Sequence, residues 1–168
     1  SGVLARPLKQ AGEWGFQRLA GGKTVVVCDV GPPPPARLSQ SGHASTLAFE
    51  LSDGAQRIVV NCGGDRGAAQ RLPDDLASLL KTTAAHSTLV VEDVNSTSIR
   101  SDGMLGKGVS EVLVHRQENE AGTWVDAGHD GYVRRFGLEH RRRFYLSANG
   151  QDLRGEDTLL PAPRRQGE

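Results

Sequence analysis

The sequence predicts an all-β protein, an antiparallel β-sandwich with one short helix. Short segments rich in β-branched and aromatic residues recur along the chain, and turn residues separate most of them. Glycine is frequent, at 21 of 168 residues, which is typical of a turn-rich β protein. A βαβ fold would require a helix between successive strands, and only one segment has helical character. We predict strands at residues 15–19, 24–29, 46–51, 58–62, 86–91, 109–116, 123–126, 132–136, 141–147 and 151–160.

Three segments between these strands have a conformation that their residue types favour. Asn149-Gly150, between two apolar segments, is the strongest hairpin signal in the chain. Residues 73–81 begin with Pro and two Asp and end in Lys, so they predict a helix, whose leucines we expect to plug one end of the sheet. The consecutive prolines at 32–35 exclude a helix and predict an extended connector that leads to His43.

The composition excludes several classes of protein. Lys+Arg and Asp+Glu both number 20, and a net charge of zero argues against general nucleic-acid binding. No apolar segment approaches the roughly 20 residues that a membrane-spanning helix requires. Cys28 and Cys62 lie in apolar strand patterns and are predicted to be buried free thiols, although two cysteines leave a disulfide open.

Two histidines are the most informative candidate site residues. His43 and His86 each precede a predicted strand, and Asn61 lies in the strand between them. Side chains at the ends of neighbouring strands could converge on one point and bind a metal or a polyanion. The alternative is that both histidines are partly buried and satisfied by hydrogen bonds. Zinc usually takes three or four His, Cys or carboxylate ligands, so the amide of Asn61 makes a poor third ligand, and we expect no cofactor.

The three consecutive arginines at 141–143 form a second candidate. In strand register, His140, Arg142 and Phe144 share one face, which predicts that one arginine is buried against a carboxylate. The alternatives are a solvated, charged edge strand and an arginine that binds a sugar carboxylate.

Five stretches of the chain together resemble the heparinase II/III-like polysaccharide lyases, in their C-terminal β-sandwich part. The resemblance implies a supersandwich-like domain over residues 1–160, a flexible tail at 161–168, and an N-terminal helical toroid that this chain lacks. It also implies a bacterial protein, either periplasmic or cytoplasmic. The matching stretches are residues 15–19, 42–51, 58–63, 83–88 and 129–142.

The resemblance further implies a function and a set of site residues. The family cleaves uronate-containing acidic polysaccharides by β-elimination, and this domain would line the substrate cleft. His43 and His86 match two family zinc ligands, whereas Asn61 replaces an aspartate ligand and Ser41 replaces a cleft-facing histidine. Substrate contacts are expected from His43 and from the two residues Tyr132 and Arg142.

The two replacements keep a second hypothesis open. Serine cannot exchange protons near neutral pH as histidine does, and asparagine carries no charge to hold zinc. The chain could therefore be a non-catalytic carbohydrate-binding or assembly module with a degenerate site. In either case we expect this chain alone to be inactive, and the exposed edge of a partial sandwich to favour a homo-oligomer.

Overall fold

In a computed structural model, two antiparallel sheets pack face to face and enclose one apolar core. The structure describes residues 10–11, 15–63 and 72–162. In both sheets the strand order follows the chain, so every connection joins neighbouring strands. The first sheet contains β1 (Gln10–Ala11), β2 (Phe16–Gly21), β3 (Thr24–Asp29), β4 (Phe49–Asp53) and β5 (Gln56–Val59). The second contains β6 (Val112–Asn119), β7 (Gly122–His129), β8 (Leu138–Ser147) and β9 (Leu153–Pro161). The predicted all-β sandwich is confirmed.

The helical elements are short and lie in the connections. Among the described residues the α-helices are α1 (Asp74–Leu79) and α2 (Val133–Phe136), and the 3₁₀ segments are Ala36–Ser41 and Thr83–Ala85. No helix in the described ranges is long and apolar enough to cross a membrane.

The core forms because side chains alternate between the two faces of each strand. In β8 the residues at even positions are buried from His140 to Leu146, and their odd-numbered neighbours point outward. Phe49 of the first sheet and Phe144 of the second pack with ring centroids 4.9 Å apart. Burial of such apolar surface is the main stabilising contribution, at about 25 cal/mol per Å². The core consists of Leu19, Val26, Cys28, Val30, Leu47, Val125, Ala127, Phe144 and Leu146.

The predicted hairpin at Asn149-Gly150 is confirmed, and it fixes the register of β8 and β9. Gly150 has a φ of +74°, and a Cβ there would lie 1.9 Å from the carbonyl oxygen of Gly21, so glycine is required. The same turn accepts a hydrogen bond of 2.8 Å from the hydroxyl of Thr24. The turn of one sheet is thereby attached to the other sheet.

Several local predictions are wrong. Residues 86–91 are not a strand but an irregular segment after Thr83–Ala85, and its local turns are closed by short-range backbone hydrogen bonds. Residues 132–136 contain α2, which ends at Gly137 with a φ of +68°. The leucines of α1 do not plug the sheet, because Leu76 and Leu79 remain exposed.

The cysteine prediction is half right. Both cysteines are free, but only Cys28 is buried, whereas Cys62 follows β5 at an exposed position. Burial raises the pKa of the Cys28 thiol to about 12, so this thiol is inert near neutral pH. Of the predicted tail at 161–168, residues 163–168 lie outside the described residues.

Candidate functional site

The structure brings His43 and His86 together. His43 lies in the connection between β3 and β4, and His86 directly follows the 3₁₀ segment Thr83–Ala85. His43 Nδ1 and His86 Nε2 are 3.2 Å apart, and the ring centroids are separated by 5.2 Å. Both rings are half-buried. The sequence therefore predicts their convergence correctly, although neither residue opens a strand.

The hydrogen bonds of His86 determine its tautomer. Its Nδ1 lies 2.8 Å from the carbonyl oxygen of Thr82, which only accepts, so Nδ1 carries the proton. In the neutral ring, Nε2 is then an acceptor, and its lone pair faces His43. This arrangement suits a hydrogen bond from His43, and it is also the orientation in which two imidazoles present lone pairs to one cation.

Asn61, the predicted third ligand, is committed to the backbone. Its Nδ2 donates to the carbonyl oxygen of Phe49 at 3.1 Å, and its Oδ1 accepts from the backbone N–H of Ser87 at 2.9 Å. The Ser87 hydroxyl also donates to this Oδ1, at 3.1 Å. The amide thus joins the end of β5, β4 and the segment that carries His86. Among the described residues no group of three His, Cys, Asp or Glu side chains could hold a metal, so these residues do not complete a zinc site.

Ser41 lies two residues before His43, at the end of the 3₁₀ segment Ala36–Ser41. Its side chain is exposed. An unactivated serine hydroxyl is a weak nucleophile and a poor base, because activation requires an adjacent base or a lowered pKa. Ser41 therefore offers a hydrogen-bonding group at this surface, but no group that exchanges protons near neutral pH.

A second histidine pair, which the sequence analysis missed, lies inside the sandwich. His129 Nε2 and His140 Nδ1 are 3.2 Å apart on neighbouring strands β7 and β8. His140 Nε2 donates to the carboxylate of Asp157 at 2.8 Å, and Arg142 binds the same carboxylate through two nitrogens at 2.7 and 2.8 Å. We call these four residues, His129, His140, Asp157 and Arg142, the buried clasp.

The protons in the buried clasp have one consistent arrangement. His129 Nδ1 accepts from the backbone N–H of Gly131 at 3.1 Å, so the proton of this ring is on Nε2 and is donated to His140. Burial, and to a lesser extent the nearby His140, lower the pKa of His129 to about 3. Burial alone would raise the pKa of Asp157, but hydrogen bonds from His140 and Arg142 outweigh it and hold that pKa well below its usual range.

Arg142 connects the buried clasp to the first histidine pair. Its Nη1 donates to the carbonyl oxygens of Leu47 and Ser87, both at 2.6 Å. Leu47 has a φ of +65°, an uncommon conformation for leucine, and it is fully buried. Ser87 is the residue after His86 and is bonded to Asn61. The guanidinium therefore fixes the backbone on which one member of the first pair sits.

Arg142 and Tyr132 were expected to contact substrate, and both lie in the interior. The prediction that an arginine of 141–143 is buried against a carboxylate is confirmed by the Arg142–Asp157 pair. Tyr132 is fully buried, and its hydroxyl donates to the carbonyl oxygen of Leu89 at 2.7 Å. Burial raises the pKa of Tyr132 to about 12. These contacts account for both side chains as parts of the fold, and substrate contact stays a prediction for His43.

One part of the buried clasp, the Arg142–Asp157 pair, could be predicted from the sequence. The turn that contains Asn149-Gly150 aligns β8 and β9 so that Arg142 stands directly opposite Asp157. The alternation of β8 places Arg142 on the core face, where a charge requires a partner. Asp157 is the carboxylate that this register places opposite Arg142.

Comparisons with known proteins give three results. A sequence model of the family described as "Heparinase II/III-like, C-terminal" matches residues 4–166. The "FtsZ-localized protein C" of Caulobacter vibrioides is 34% identical over 163 residues, covering 93% of this chain and 27% of that protein. Crystal structures of heparan sulfate lyase HepC from Pedobacter heparinus, one of them a mutant, match with a TM-score of 0.65 at 16% identity. They cover 88% of this chain and 21% of the lyase, and at this identity the likeness concerns the fold alone.

Proposed function

Because this chain belongs to the heparinase II/III-like, C-terminal family, we propose that it is the β-sandwich part of a polysaccharide lyase-like protein. In this proposal the surface around His43 lines the cleft in which an acidic, uronate-containing glycan is cleaved by β-elimination. One observation carries the proposal. The half-buried pair His43 and His86 matches the two zinc histidines of the resemblance, and Ser41, two residues before His43, matches its cleft-facing histidine.

The chemistry of β-elimination limits what this chain can contribute. A base removes the proton beside the uronate carboxylate, the charge on that carboxylate is neutralised, and the leaving oxygen is protonated. Ser41 does not supply a base near neutral pH. His43 can donate or accept a hydrogen bond at the glycan, while His86 and Asn61 hold the local backbone. The base and the neutralising group then come from parts of the longer protein outside this chain.

The chain spans 27% of its curated relative and 21% of the matching lyase, so the test requires the full-length protein. We would incubate it with a panel of acidic glycans and record the ultraviolet absorbance of unsaturated uronate. The proposal expects product with at least one glycan, and a lower rate for His43→Gln. A matched variant, Ser101→Ala, changes an exposed polar residue elsewhere and should leave the rate unchanged. Folded protein that yields no product on any glycan of the panel contradicts the proposal.

A second candidate function is a non-catalytic assembly module. It is favoured by the 34% identity to a protein named for its localisation with FtsZ, and by the replacements at Ser41 and Asn61. It predicts that the full-length protein binds glycan without forming unsaturated product, and that a fluorescent fusion co-localises with FtsZ in dividing cells. Product formation together with a diffuse cellular distribution would exclude it.

A further inference from the structure

The outward-facing surface of the second sheet carries a pair of aromatic rings. Trp124 of β7 and Tyr145 of β8 are direct cross-strand neighbours, with ring centroids 4.7 Å apart and planes tilted by 35°. Trp124 lies between the buried residues Thr123 and Val125, so its side chain points away from the core. The chain has only two tryptophans and two tyrosines. One of each is placed on this surface rather than in the core, where large rings are most stabilising.

Three arginines surround the two rings on the same face. Arg154 of β9 stands opposite Tyr145, and its guanidinium lies 5.8 Å from the centre of that ring. Arg141 and Arg143 of β8 both bind the carboxylate of Asp126, at 2.9 and 2.8 Å. The side chains of all three arginines are more than half exposed, at 52%, 53% and 75% for Arg141, Arg143 and Arg154. Arg154 is itself bound to Asp152 at 2.7 Å. The N–H donors that these three ion pairs leave unused are available to a ligand that lies on the rings.

The same face continues into a groove. Asp126 and Arg141 also line an open groove of about 1480 Å³. Arg134 and Arg135 of α2 line the same groove. Gly128 stands opposite Arg141 in the strand register and adds no side chain to the floor. An extended ligand can thus run from the two rings, past Asp126 and its two arginines, into the groove.

We propose that this surface, defined by Trp124, Tyr145, Arg141, Arg143 and Arg154 and called the outer platform below, binds a polysaccharide chain. Aromatic rings bury the C–H face of a sugar ring, and guanidinium and carboxylate groups of fixed geometry bind its hydroxyl or carboxylate groups. Sugar hydroxyls both donate and accept, which matches a surface that presents guanidinium and carboxylate side by side.

The outer platform is a different surface from the one that carries His43. It lies on the solvent side of the second sheet, whereas His43 lies in a connection within the first sheet and His86 in the connection between the two sheets. A chain held there would increase the local concentration of glycan at the cleft without entering the chemistry. This inference rests on the proposed function only in taking the ligand to be a polysaccharide.

The test measures binding of the full-length protein to three immobilised glycans, heparan sulfate, hyaluronan and the neutral polymer xylan. Trp124→Ala should weaken binding at least about tenfold, which is a change of about 1.4 kcal/mol. Phe16→Ala removes an exposed ring elsewhere, on β2 of the first sheet, and should bind as the wild type does. If Trp124→Ala lowers the thermal midpoint, Arg143→Glu serves as the second variant, since the guanidinium it removes is half exposed and the ion pair with Asp126 that it breaks lies at the surface.

The outcomes separate the two proposals. Trp124-dependent binding without unsaturated product retains the outer platform and removes the proposed lyase role. Product formation with wild-type binding by both Trp124→Ala and Arg143→Glu removes the outer platform and retains the lyase role. Binding to xylan as well as to the acidic polymers assigns recognition to the sugar rings, and binding to the acidic polymers alone assigns it to the arginines.

Discussion

The two histidine pairs of this domain have the same separation and different surroundings. In each, a ring nitrogen of one histidine lies 3.2 Å from a ring nitrogen of the other. His43 and His86 are half-buried and belong to irregular connections. His129 and His140 are buried on adjacent strands of the second sheet. In the first pair, His86 donates to the carbonyl oxygen of Thr82. In the second pair, His140 donates to the carboxylate of Asp157, which Arg142 also binds.

The difference shows that the distance between the rings does not decide the role of a histidine pair. Burial and the group to which the pair donates its proton decide it. A buried pair whose protons are fixed by a carboxylate and a backbone N–H holds the fold in one arrangement. A half-buried pair keeps part of both side chains exposed to solvent. The chain thus combines a fixed polar network in its core with a more accessible one at its edge, and Arg142 joins them.

The largest expected effect concerns Arg142. Arg142→Met leaves the carboxylate of Asp157 without its main partner and also removes the donor to Leu47 and Ser87. The Arg142 side chain is 7% exposed and that of Asp157 is 33% exposed, so the loss in the free energy of unfolding should be about 2–3 kcal/mol, below that of a fully buried pair. Urea denaturation followed by circular dichroism measures the change.

Arg143→Met is the matched control, one residue away on the same strand. Its guanidinium is half exposed and binds Asp126 at the surface, so the loss should be much smaller than that for Arg142→Met. Equal losses for the two variants would show that the buried clasp is no more important to stability than a surface ion pair.

The second effect is a pH dependence that belongs to the buried pair. The pKa of His129 is about 3 in the folded protein, below the value of about 6.5 in an unfolded chain. As the pH falls below about 6.5, the unfolded chain takes up a proton that folded His129 does not. Stability therefore decreases on acidification, by about 2 kcal/mol at pH 5, until the folded pKa is reached.

This contribution is isolated by comparing the wild type with His129→Gln in urea at pH 8 and at pH 5. Asp157, whose pKa is also lowered, adds its own loss of stability, but only as the pH approaches the usual carboxyl range near 4. The pH dependence of the wild type should exceed that of the variant by about 2 kcal/mol. Identical pH profiles for the two proteins would contradict the assignment of a neutral, buried His129.

A smaller effect on stability is expected at Asn61, near the pair His43 and His86. Asn61→Asp removes the donor to Phe49 and places a carboxylate near a carbonyl oxygen, which should cost about 1–2 kcal/mol in metal-free buffer. The same change adds a charged ligand type beside His43 and His86, so zinc should recover the loss in the thermal midpoint. His129→Gln, in the buried pair, serves as the control that zinc should not stabilise. A variant whose midpoint is unaffected by zinc would show that the pair cannot hold the ion even with a carboxylate.

The smallest effect is expected at His43 itself. His43→Gln keeps a polar group at a half-buried position, so the free energy of unfolding should change by less than about 1 kcal/mol. Denaturation in urea, run beside His140→Gln, gives the comparison. A loss at His43 as large as the loss at His140 would make the first pair part of the core network.

Much of the fold could be predicted because it depends on local signals. The alternation in β8 placed Arg142 with Phe144 on the core face, and Asn149-Gly150 set the last hairpin. The convergence of His43 and His86 was also predicted, from their places near neighbouring strands.

The remaining features depend on contacts between distant segments. The strand expected at 132–136 became α2, because the chain turns there and Asp130 binds the backbone of Ser110 and Glu111. Asn61 could be identified from the resemblance, but not its hydrogen bonds to Phe49 and Ser87, which join three segments. The buried clasp required the register of three strands at once, and for that reason no single motif indicated it.

The most direct test of the proposed division between the two pairs compares His43→Gln with His140→Gln in the full-length protein. Glycan turnover and the free energy of unfolding are measured for both variants under the same conditions. The account predicts that His43→Gln lowers turnover at nearly unchanged stability, and that His140→Gln lowers stability while the folded fraction keeps its turnover. Unchanged turnover in His43→Gln, together with lost turnover in folded His140→Gln, would contradict it.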